Sequence, residues 1–311
     1  MSLRLIADVG GTNARFAVCE PGGAPVEERK LSVAEYPGLV DAALAYLGGR
    51  SVEEAVFAVA TPVLGDEVAF TNSPWRFNIP EAQARLGLRR LVVINDFVAQ
   101  ASAIRGLGAE DLRPLKPGRA RAGRPRVVIG PGTGLGVAFL VGDGESARVL
   151  SSEAGHASFS PQDERQARLL EALRPEFGHV STERLLSGPG LLRIANGVAA
   201  MDGHDLRFST PPEVTERAKA GDCPVCQEAL RIFAAILGAT AGDLVLTLMA
   251  EGGVYVTGGL CRNMGPLLDP VSLHQGFTAK GRFSAYLEAV PITQVIRPHT
   301  GLLGAAIHQG D

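Results

Sequence analysis

A chain of 311 residues, 46% hydrophobic and 20% charged, has the composition of a soluble globular protein and the length of about two domains. A formal net charge of -3 leaves no broad basic face, which excludes a nucleic-acid polyanion as principal partner. Four cysteines do not make a secreted disulfide scaffold in a chain this long. The chain enters a strand pattern at once, with no charged leader ahead of an apolar segment. No uninterrupted apolar run reaches the ~18–20 residues of a spanning helix, so the expectation is a cytoplasmic protein without a membrane partner.

Leu3 to Cys19 reads as strand, turn, strand. Leu5-Ile6-Ala7 runs into Asp8-Val9-Gly10-Gly11-Thr12-Asn13, and Ala14 to Cys19 returns as a second extended run. The turn joins two strands and opens no helix, so it is neither a Walker loop nor a dinucleotide fingerprint. Gly10 and Gly11 leave backbone N–H groups open to a ligand, and Thr12 and Asn13 add donors. Asp8, at the strand end, could hold the hydration shell of a magnesium ion. A plain glycine hairpin is the competing reading.

Pro37 to Leu47 has helical spacing, and Ala55 to Ala60 is a strand stopped by Thr61-Pro62. Thr71-Asn72-Ser73-Pro74-Trp75 carries the single tryptophan, read as a core anchor. Ile79 to Leu88 reads as a helix with Pro80 in its first turn. Leu91-Val92-Val93-Ile94 is expected to be a strand buried on both faces. It ends on Asn95-Asp96, side chains for which an apolar strand has no packing use. Ligand chemistry in open α/β sheets gathers at the carboxyl ends of strands, so Asp96 is a candidate base. Capping the small-residue helix that follows is its competing role.

Arg113 to Arg126 is rich in Pro, Gly and arginine without interleaved aromatics, and reads as a solvated loop near a domain boundary. Val127 to Val141 then repeats the first motif: apolar strand, the turn Gly130-Pro131-Gly132-Thr133-Gly134, apolar strand. A partial third echo, Val254-Tyr255-Val256-Thr257-Gly258-Gly259, is a strand ending in a glycine pair. The repetition predicts a duplicated fold whose two hairpins face each other across a cleft and grip phosphates.

Glu153 and His156 flank a small-residue turn and can converge on one polar ligand; as zinc ligands they lack further partners at suitable spacing. Glu164 to Leu173 reads as a helix. Ser181 is expected to cap another, with Glu183 in its first turn and Ser187-Gly188-Pro189-Gly190 at its end. Cys223-Pro224-Val225-Cys226 lacks the second pair of a zinc ribbon and reads as an incidental start to a helix through Leu248. Val290 to Ile296 reads as a strand. Gly301, Gly304 and Ala305 suit a closely packed final helix returning to the first domain.

Taken in order, these motifs resemble the bacterial glucokinases of the hexokinase-type, ATP-dependent group. That group shares a superfamily with acetate kinase, actin and the large heat-shock chaperone ATPases. The likeness spans essentially the whole chain. It rests on Asp8-Val9-Gly10-Gly11-Thr12-Asn13-Ala14-Arg15, Thr71-Asn72-Ser73-Pro74-Trp75, Ile94-Asn95-Asp96-Phe97 and Gly130-Pro131-Gly132-Thr133-Gly134-Leu135-Gly136. It continues through Glu153-Ala154-Gly155-His156, Gly178-His179-Val180-Ser181, Leu186-Ser187-Gly188-Pro189-Gly190 and Gly258-Gly259.

The resemblance implies an α/β chain with the duplicated, ribonuclease H-like, actin-like ATPase fold. A small domain (1–105 plus 298–311) and a large one (106–297) would flank the active-site cleft. Asn95, Asp96, Glu153, His156 and Glu183 would hold the sugar, with Asp96 the catalytic base at the 6-hydroxyl. Asp8, Gly10, Gly11, Thr12, Asn13 and Arg15 would cradle the phosphates of ATP together with Gly130, Gly132, Thr133 and Gly134. Asp8 would stand near Mg2+, and Gly258 and Gly259 at the adenosine. The implied partners are glucose and ATP, the implied assembly a homodimer, and the implied reaction the first step of glycolysis. One departure is Ala154, where the family commonly has glycine; a left-handed backbone there would cost alanine on the order of 1 kcal/mol.

Two other readings keep part of the pattern. A sugar sensor would carry a DNA-binding helix-turn-helix, for which the residues before the first strand are too few. An actin- or chaperone-like ATPase would keep the hairpins but have no reason for Asn95-Asp96 together with Glu153 and His156.

Overall fold

Alternating side chains build the first sheet. In β1 (Arg4–Val9), Leu5, Ala7 and Val9 point into one apolar cluster and Ile6 into another. β2 (Asn13–Cys19) divides Phe16 and Val18 from Ala17 and Cys19 in the same way. β3 (Val26–Ser32) pairs antiparallel with β2, α1 (Leu39–Leu47) covers the Phe16 face, and β4 (Glu54–Val59) runs parallel to β1. A ribbon of β5 (Glu67–Ala69) and β6 (Arg76–Asn78) and then α2 (Ile79–Arg85) lead to β7 (Arg90–Asn95), parallel to β4. α3 (Asp96–Ala103) starts on the next residue. The strand order is β3-β2-β1-β4-β7.

The structure is a computed structural model that describes residues 3–308. It forms two units: one holds the chain through Ala109 and again from Arg297, the other holds Glu110–Ile296. The second is built on β8 (Leu112–Lys116), β9 (Arg126–Pro131), β10 (Leu135–Val141) and β11 (Arg148–Ser152). Four helices follow: α4 (Glu164–Phe177), α5 (Gly188–Met201), α6 (Pro211–Ala220) and α7 (Pro224–Leu248). β12 (Val254–Val256), α8 (Gly259–Met264), α9 (Pro270–Thr278), α10 (Ser284–Glu288) and β13 (Ile292–Val295) complete it. α11 (Thr300–Ile307) belongs to the first unit, where Leu302, Ala305 and Ala306 join the cluster of Ile6 and Ala99.

The second sheet has the order β11-β10-β9-β12-β13-β8. Without β8 it repeats the first sheet strand for strand. In both, two antiparallel pairs are followed by two parallel ones. The duplication expected from the two hairpins is therefore present in the topology.

Several local expectations need correction. β7 is the outer strand of its sheet, and only Leu91 and Ile94 are buried; Val92 and Val93 lie at the rims of the two clusters. α2 stops at Arg85, because Gly87 turns left-handed at φ 67°. The stretch from Arg113 begins as strand β8, and Lys116 is only 3% exposed. The Lys116 ammonium donates to the carbonyls of Pro117, Glu288 and Val290 at 3.1, 2.7 and 3.0 Å. Burial pulls its pKa down, against the Glu288 carboxylate. Farther along, Arg121 and Arg124 reach Glu251 at 2.7 and 3.1 Å.

Ser187-Gly188-Pro189-Gly190 starts a helix where an end was expected. Ser187 Oγ accepts the Gly190 N–H at 3.1 Å and proline sits in the first turn of α5. Glu183 lies in a 3-10 turn, Thr182–Arg184, to which Ser181 gives no side-chain cap. α4 runs past Leu173 to Phe177, with Pro175 in its last turn. Trp75 is the core anchor expected: 2% exposed, its Nε1 donating to the Tyr36 carbonyl at 3.0 Å.

α7 is the helix expected through Leu248, and it begins at Pro224. At 25 residues it is long and apolar enough to cross a membrane by length and composition. Yet 72% of its apolar window is buried within the fold, as in a core helix. Cys223 and Cys226 lie at its start, and all four cysteines are free and buried. Burial and the neighbouring Cys223 push the Cys226 thiol up to about 12, and burial does the same to Cys261. Thiolate is the reactive form. Native protein at pH 8 should therefore take up no iodoacetamide, whereas all four cysteines label in denaturant. Labelling of Cys226 in native protein, read by mass spectrometry, would show that the start of α7 opens.

Candidate functional site

In the first unit the β1–β2 hairpin closes on the pair Val9 and Ala14, and the Gly10 N–H donates to the Asn13 carbonyl at 3.0 Å. Thr12 is exposed at the tip. Gly11 is demanded by packing, since a Cβ there would come within 2.6 Å of the Asn72 carbonyl oxygen. Gly10 has ordinary room, with only the Asn13 carbonyl within 4 Å. A ligand can therefore approach closely at Gly10, whose N–H is already used to close the turn.

Asp8 sits near the end of β1, partly buried. Burial raises its carboxyl above the usual range, opposed by Arg15 and His299 and reinforced by Glu28. Glu28 lies 2.6 Å from His299 Nδ1 and 3.6 Å from Arg15 Nε. His299 takes a left-handed backbone (φ 54°) just ahead of α11. Gly301 then leaves room for Asp8, whose Oδ2 a Cβ would strike.

A carboxyl raised in the fold favours the native state while protonated and loses that contribution as pH rises through the folded pKa. Asp8→Asn should therefore melt above wild type at pH 7. The gap should close below about pH 4, where the carboxyl is protonated folded and unfolded alike. Thermal melts at the two pH values test this; a variant less stable than wild type at pH 7 contradicts it.

The cap that competes with a catalytic role falls first to Asn95. Its Oδ1 accepts the Phe97 N–H at 2.8 Å, and its Nδ2 donates to the Thr61 carbonyl at 3.3 Å. Asp96 opens α3 partly buried, its Oδ1 sharing the same N–H at 3.0 Å. Val9, Val59 and Asn95 stand in register across β1, β4 and β7. The phosphate-type hairpin and Asn95-Asp96 thus share one sheet edge, two strand spacings or roughly 10 Å apart. This is the carboxyl end of the parallel strands, as expected.

In the second unit the β9–β10 hairpin closes on Pro131 and Leu135, and the Gly132 N–H donates to the Gly134 carbonyl at 2.8 Å. Thr133 is exposed at the tip, as Thr12 is in the first. Gly132 has no atom within 4 Å of a Cβ, whereas a Cβ on Gly134 would strike Glu183 Oε2. Gly130 pairs with Gly136 across the hairpin. Gly258 has φ 92°, and a Cβ there would come within 2.6 Å of the Pro131 carbonyl oxygen. Gly259, the first residue of α8, follows it.

Glu153, His156 and Glu183 come together. His156 Nε2 is 3.8 Å from Glu153 Oε2, and Nδ1 is 4.0 Å from Glu183 Oε1. Gly155 is pinned beneath them, for a Cβ would strike the Leu135 carbonyl oxygen. Ala154 opens a 3-10 turn, and the non-glycine residues with positive φ among the described residues are Glu27, Met249 and His299. The cost considered for alanine at 154 therefore does not arise. No group of three His, Cys, Asp or Glu side chains, this one included, is placed to hold a metal ion among the described residues. A cavity of about 470 Å³ lies behind Ala154, between Phe139, Leu150 and Phe159 and the α7 residues Ile236 and Leu244. None of its lining residues is assigned to the chemistry.

Sequence reasoning missed Thr61, Asn72, Glu28 and His299 as supports of the site. Glu28 reads as one more charge in the exposed run Glu27-Glu28-Arg29-Lys30, and its partner is far along the chain. A signal did exist for Asn72, in the Thr-Asn-Ser-Pro-Trp motif.

The glucokinase family model matches residues 5–310. A glucokinase of Paramagnetospirillum magneticum is 43% identical over 307 residues, which are 97% of this chain and 96% of that protein. A glucokinase of Aromatoleum aromaticum is 43% identical over 308 residues, 97% of this chain and 93% of that one. Among solved structures, the glucokinase of an Antarctic psychrotroph matches with a TM-score of 0.86 at 35% identity, covering 99% of this chain and 98% of its own.

Proposed function

The chain belongs to the glucokinase family, and on that premise we propose that it transfers the γ-phosphoryl group of ATP to the 6-hydroxyl of glucose, with Asp96 as the base. The observation that carries this is the placement of Asn95-Asp96 on the same sheet edge as the first glycine hairpin. A nucleotide hydrolase needs the hairpins and one group that orients water; Asn95-Asp96 together with Glu153 and His156 exceed that need and suit an acceptor alcohol with several hydroxyls.

Asp96 takes the proton as the sugar oxygen bonds to the γ-phosphorus, and the bond to the β-γ bridging oxygen breaks to release ADP. Backbone N–H groups at the tips, from Gly11 to Asn13 and from Thr133 to Gly134, stabilise the charge that develops on the phosphoryl oxygens, with Gly10 and Gly132 closing the two turns and Arg15 adding a cation. Gly259 leaves open space for the adenosine, and Gly258 makes the tight turn against Pro131 that places it. Asn95, Glu153, His156 and Glu183 pair with the sugar hydroxyls, and a sugar lacking one of these leaves a polar group unpaired. Water competes with the sugar as acceptor, so productive transfer needs it excluded.

A magnesium ion fits the residues present. It commonly keeps several waters and takes one or two carboxylates together with substrate phosphates. Asp8 offers one partly desolvated carboxylate with its space kept by Gly301. Asp8 would hold the ion through its waters, and the ion would supply neutralising charge at the phosphates.

Glucose should be required for ADP release, with glucose 6-phosphate formed in equal amount, in a coupled assay run with and without sugar. ADP release indifferent to glucose would refute the proposal. A panel of hexoses and of donors, polyphosphate included, defines its breadth. Glu153→Gln should raise the KM for glucose on the order of 10–100-fold, the loss of a hydrogen bond to a charged group, and leave the KM for ATP near wild type. An unchanged glucose KM would remove Glu153 from the sugar site. The family resemblance extends to a cytoplasmic homodimer, for which sedimentation should give twice the mass of one chain.

A further inference from the structure

Assignment of Glu183 to a sugar hydroxyl uses one of its two oxygens. The other is already engaged. Oε2 accepts the backbone N–H of Leu135 at 2.9 Å, the residue directly after the hairpin tip. The same oxygen occupies the space that a Cβ on Gly134 would need. Oε1 faces His156 Nδ1 at 4.0 Å, and His156 in turn faces Glu153 at 3.8 Å. The carboxylate is a bridge inside the second unit, with the hairpin on one side and the hydroxyl-binding pair on the other.

Its backbone is anchored independently of any ligand. The Thr182 N–H donates to the Ala157 carbonyl at 2.9 Å, and Ser187 Oγ donates to the Glu183 carbonyl at 2.8 Å. The hairpin tip has little else to hold it. Beyond its internal bond, Gly132 O accepts the Gly188 N–H at 2.8 Å, Gly132 has open space where a side chain would be, and Thr133 is exposed. The Glu183 side chain is 26% exposed, so solvent reaches it from part of its surroundings only. Its rotamer is the adjustable link between an anchored turn and a lightly held hairpin.

We propose that Glu183 is a positioning residue through which bound sugar sets the second phosphate hairpin. A hydroxyl donated to Oε1 selects the rotamer that keeps Oε2 on the Leu135 N–H, and that bond holds residues 132–134 in the form that receives phosphate. Glucose therefore tightens nucleotide binding before any chemistry, and nucleotide tightens glucose by the same factor. This rests on the assignment of Glu153, His156 and Glu183 to the hexose.

The test uses the full chain with ADP and Mg2+, which cannot phosphorylate the sugar, titrated by calorimetry with and without saturating glucose. In wild type, glucose should tighten ADP about fivefold or more, within the usual range of coupling between sites. Glu183→Asp keeps the charge but is one methylene too short to span both partners. At glucose concentrations that saturate the variant, its ADP Kd should no longer respond to sugar. Gly134→Ala should bind glucose and lose the response as well, because its Cβ displaces Oε2. Glu153→Gln, once saturated, should keep the wild-type factor. Amide exchange over residues 132–135 supplies a second readout, slowed by glucose alone in wild type and unaffected by it in Glu183→Asp. Retention of the full factor in both Glu183→Asp and Gly134→Ala overturns the proposal. So does a wild-type protein that binds glucose and ADP independently, an outcome that leaves the kinase assignment standing. Failure of wild type to bind glucose at all overturns the assignment and this inference together.

Discussion

Asp96→Asn should lower turnover with glucose by about 10²–10⁴-fold, with the fold intact and glucose affinity changed far less. Asparagine has nearly the same shape and keeps an oxygen for the Phe97 N–H, and Asn95 makes that bond in any case at 2.8 Å. The start of α3 therefore survives the change. What is lost is a group able to take a proton from the sugar as its oxygen attacks phosphorus. Steady-state rates with calorimetric glucose binding separate the outcomes. Near-normal turnover would remove Asp96 from the mechanism, and loss of glucose binding equal to the loss of rate would make it a binding group only.

Gly304→Ala should destabilise the first unit by about 1–3 kcal/mol, and Gly304→Val by more. α11 and α3 meet so closely that a Cβ on Gly304 would collide with the carbonyl oxygen and carbonyl carbon of Ala99. Backbone atoms cannot rotate away as a side chain can, so α3 must shift as a body. Because α3 begins at Asp96, the same shift should depress kcat. Trp75, buried in the first unit, reports its unfolding by fluorescence, and the transition should fall by several degrees. A variant that melts and turns over like wild type would show that this helix contact does not position Asp96. Gly301→Ala makes a milder companion, since the Asp8 carboxylate it would strike is a side chain that can turn.

How much of this was legible beforehand depends on the range of the interaction involved. The two glycine–threonine hairpins were readable because a turn is specified by residues next to one another, and their repetition carried the duplicated topology with it. Asn95-Asp96 was readable because a polar pair at the end of an apolar run is a local contradiction that packing does not explain. Trp75 and the final helix followed from side-chain volume and from small residues at helical spacing.

Where local signals pointed both ways, distant contacts decided. Ser187-Gly188-Pro189-Gly190 has the chemistry of a helix start and of a break, and the expectation took the wrong one. Lys116 looked like one more solvated cation until Glu288 at the end of α10 and Val290 ahead of β13 joined the adjacent Pro117 in placing three carbonyls around its ammonium. β7 had the composition of a central strand, but its place at the rim of the sheet is a property of strand order.

By itself, then, the sequence determined the two turns, the strand ends that carry Asp8 and Asp96, and the inventory of hydroxyl-binding side chains. Each depends on covalent neighbours or on the simple alternation of a strand. Only the tertiary structure decided that Glu28 faces both Arg15 and His299, that Gly11 is required by Asn72 and Gly134 by Glu183, and that one oxygen of Glu183 already belongs to the second hairpin. Those pairings join residues from 13 to 271 positions apart, and no local periodicity records which group will fill the space beside a glycine.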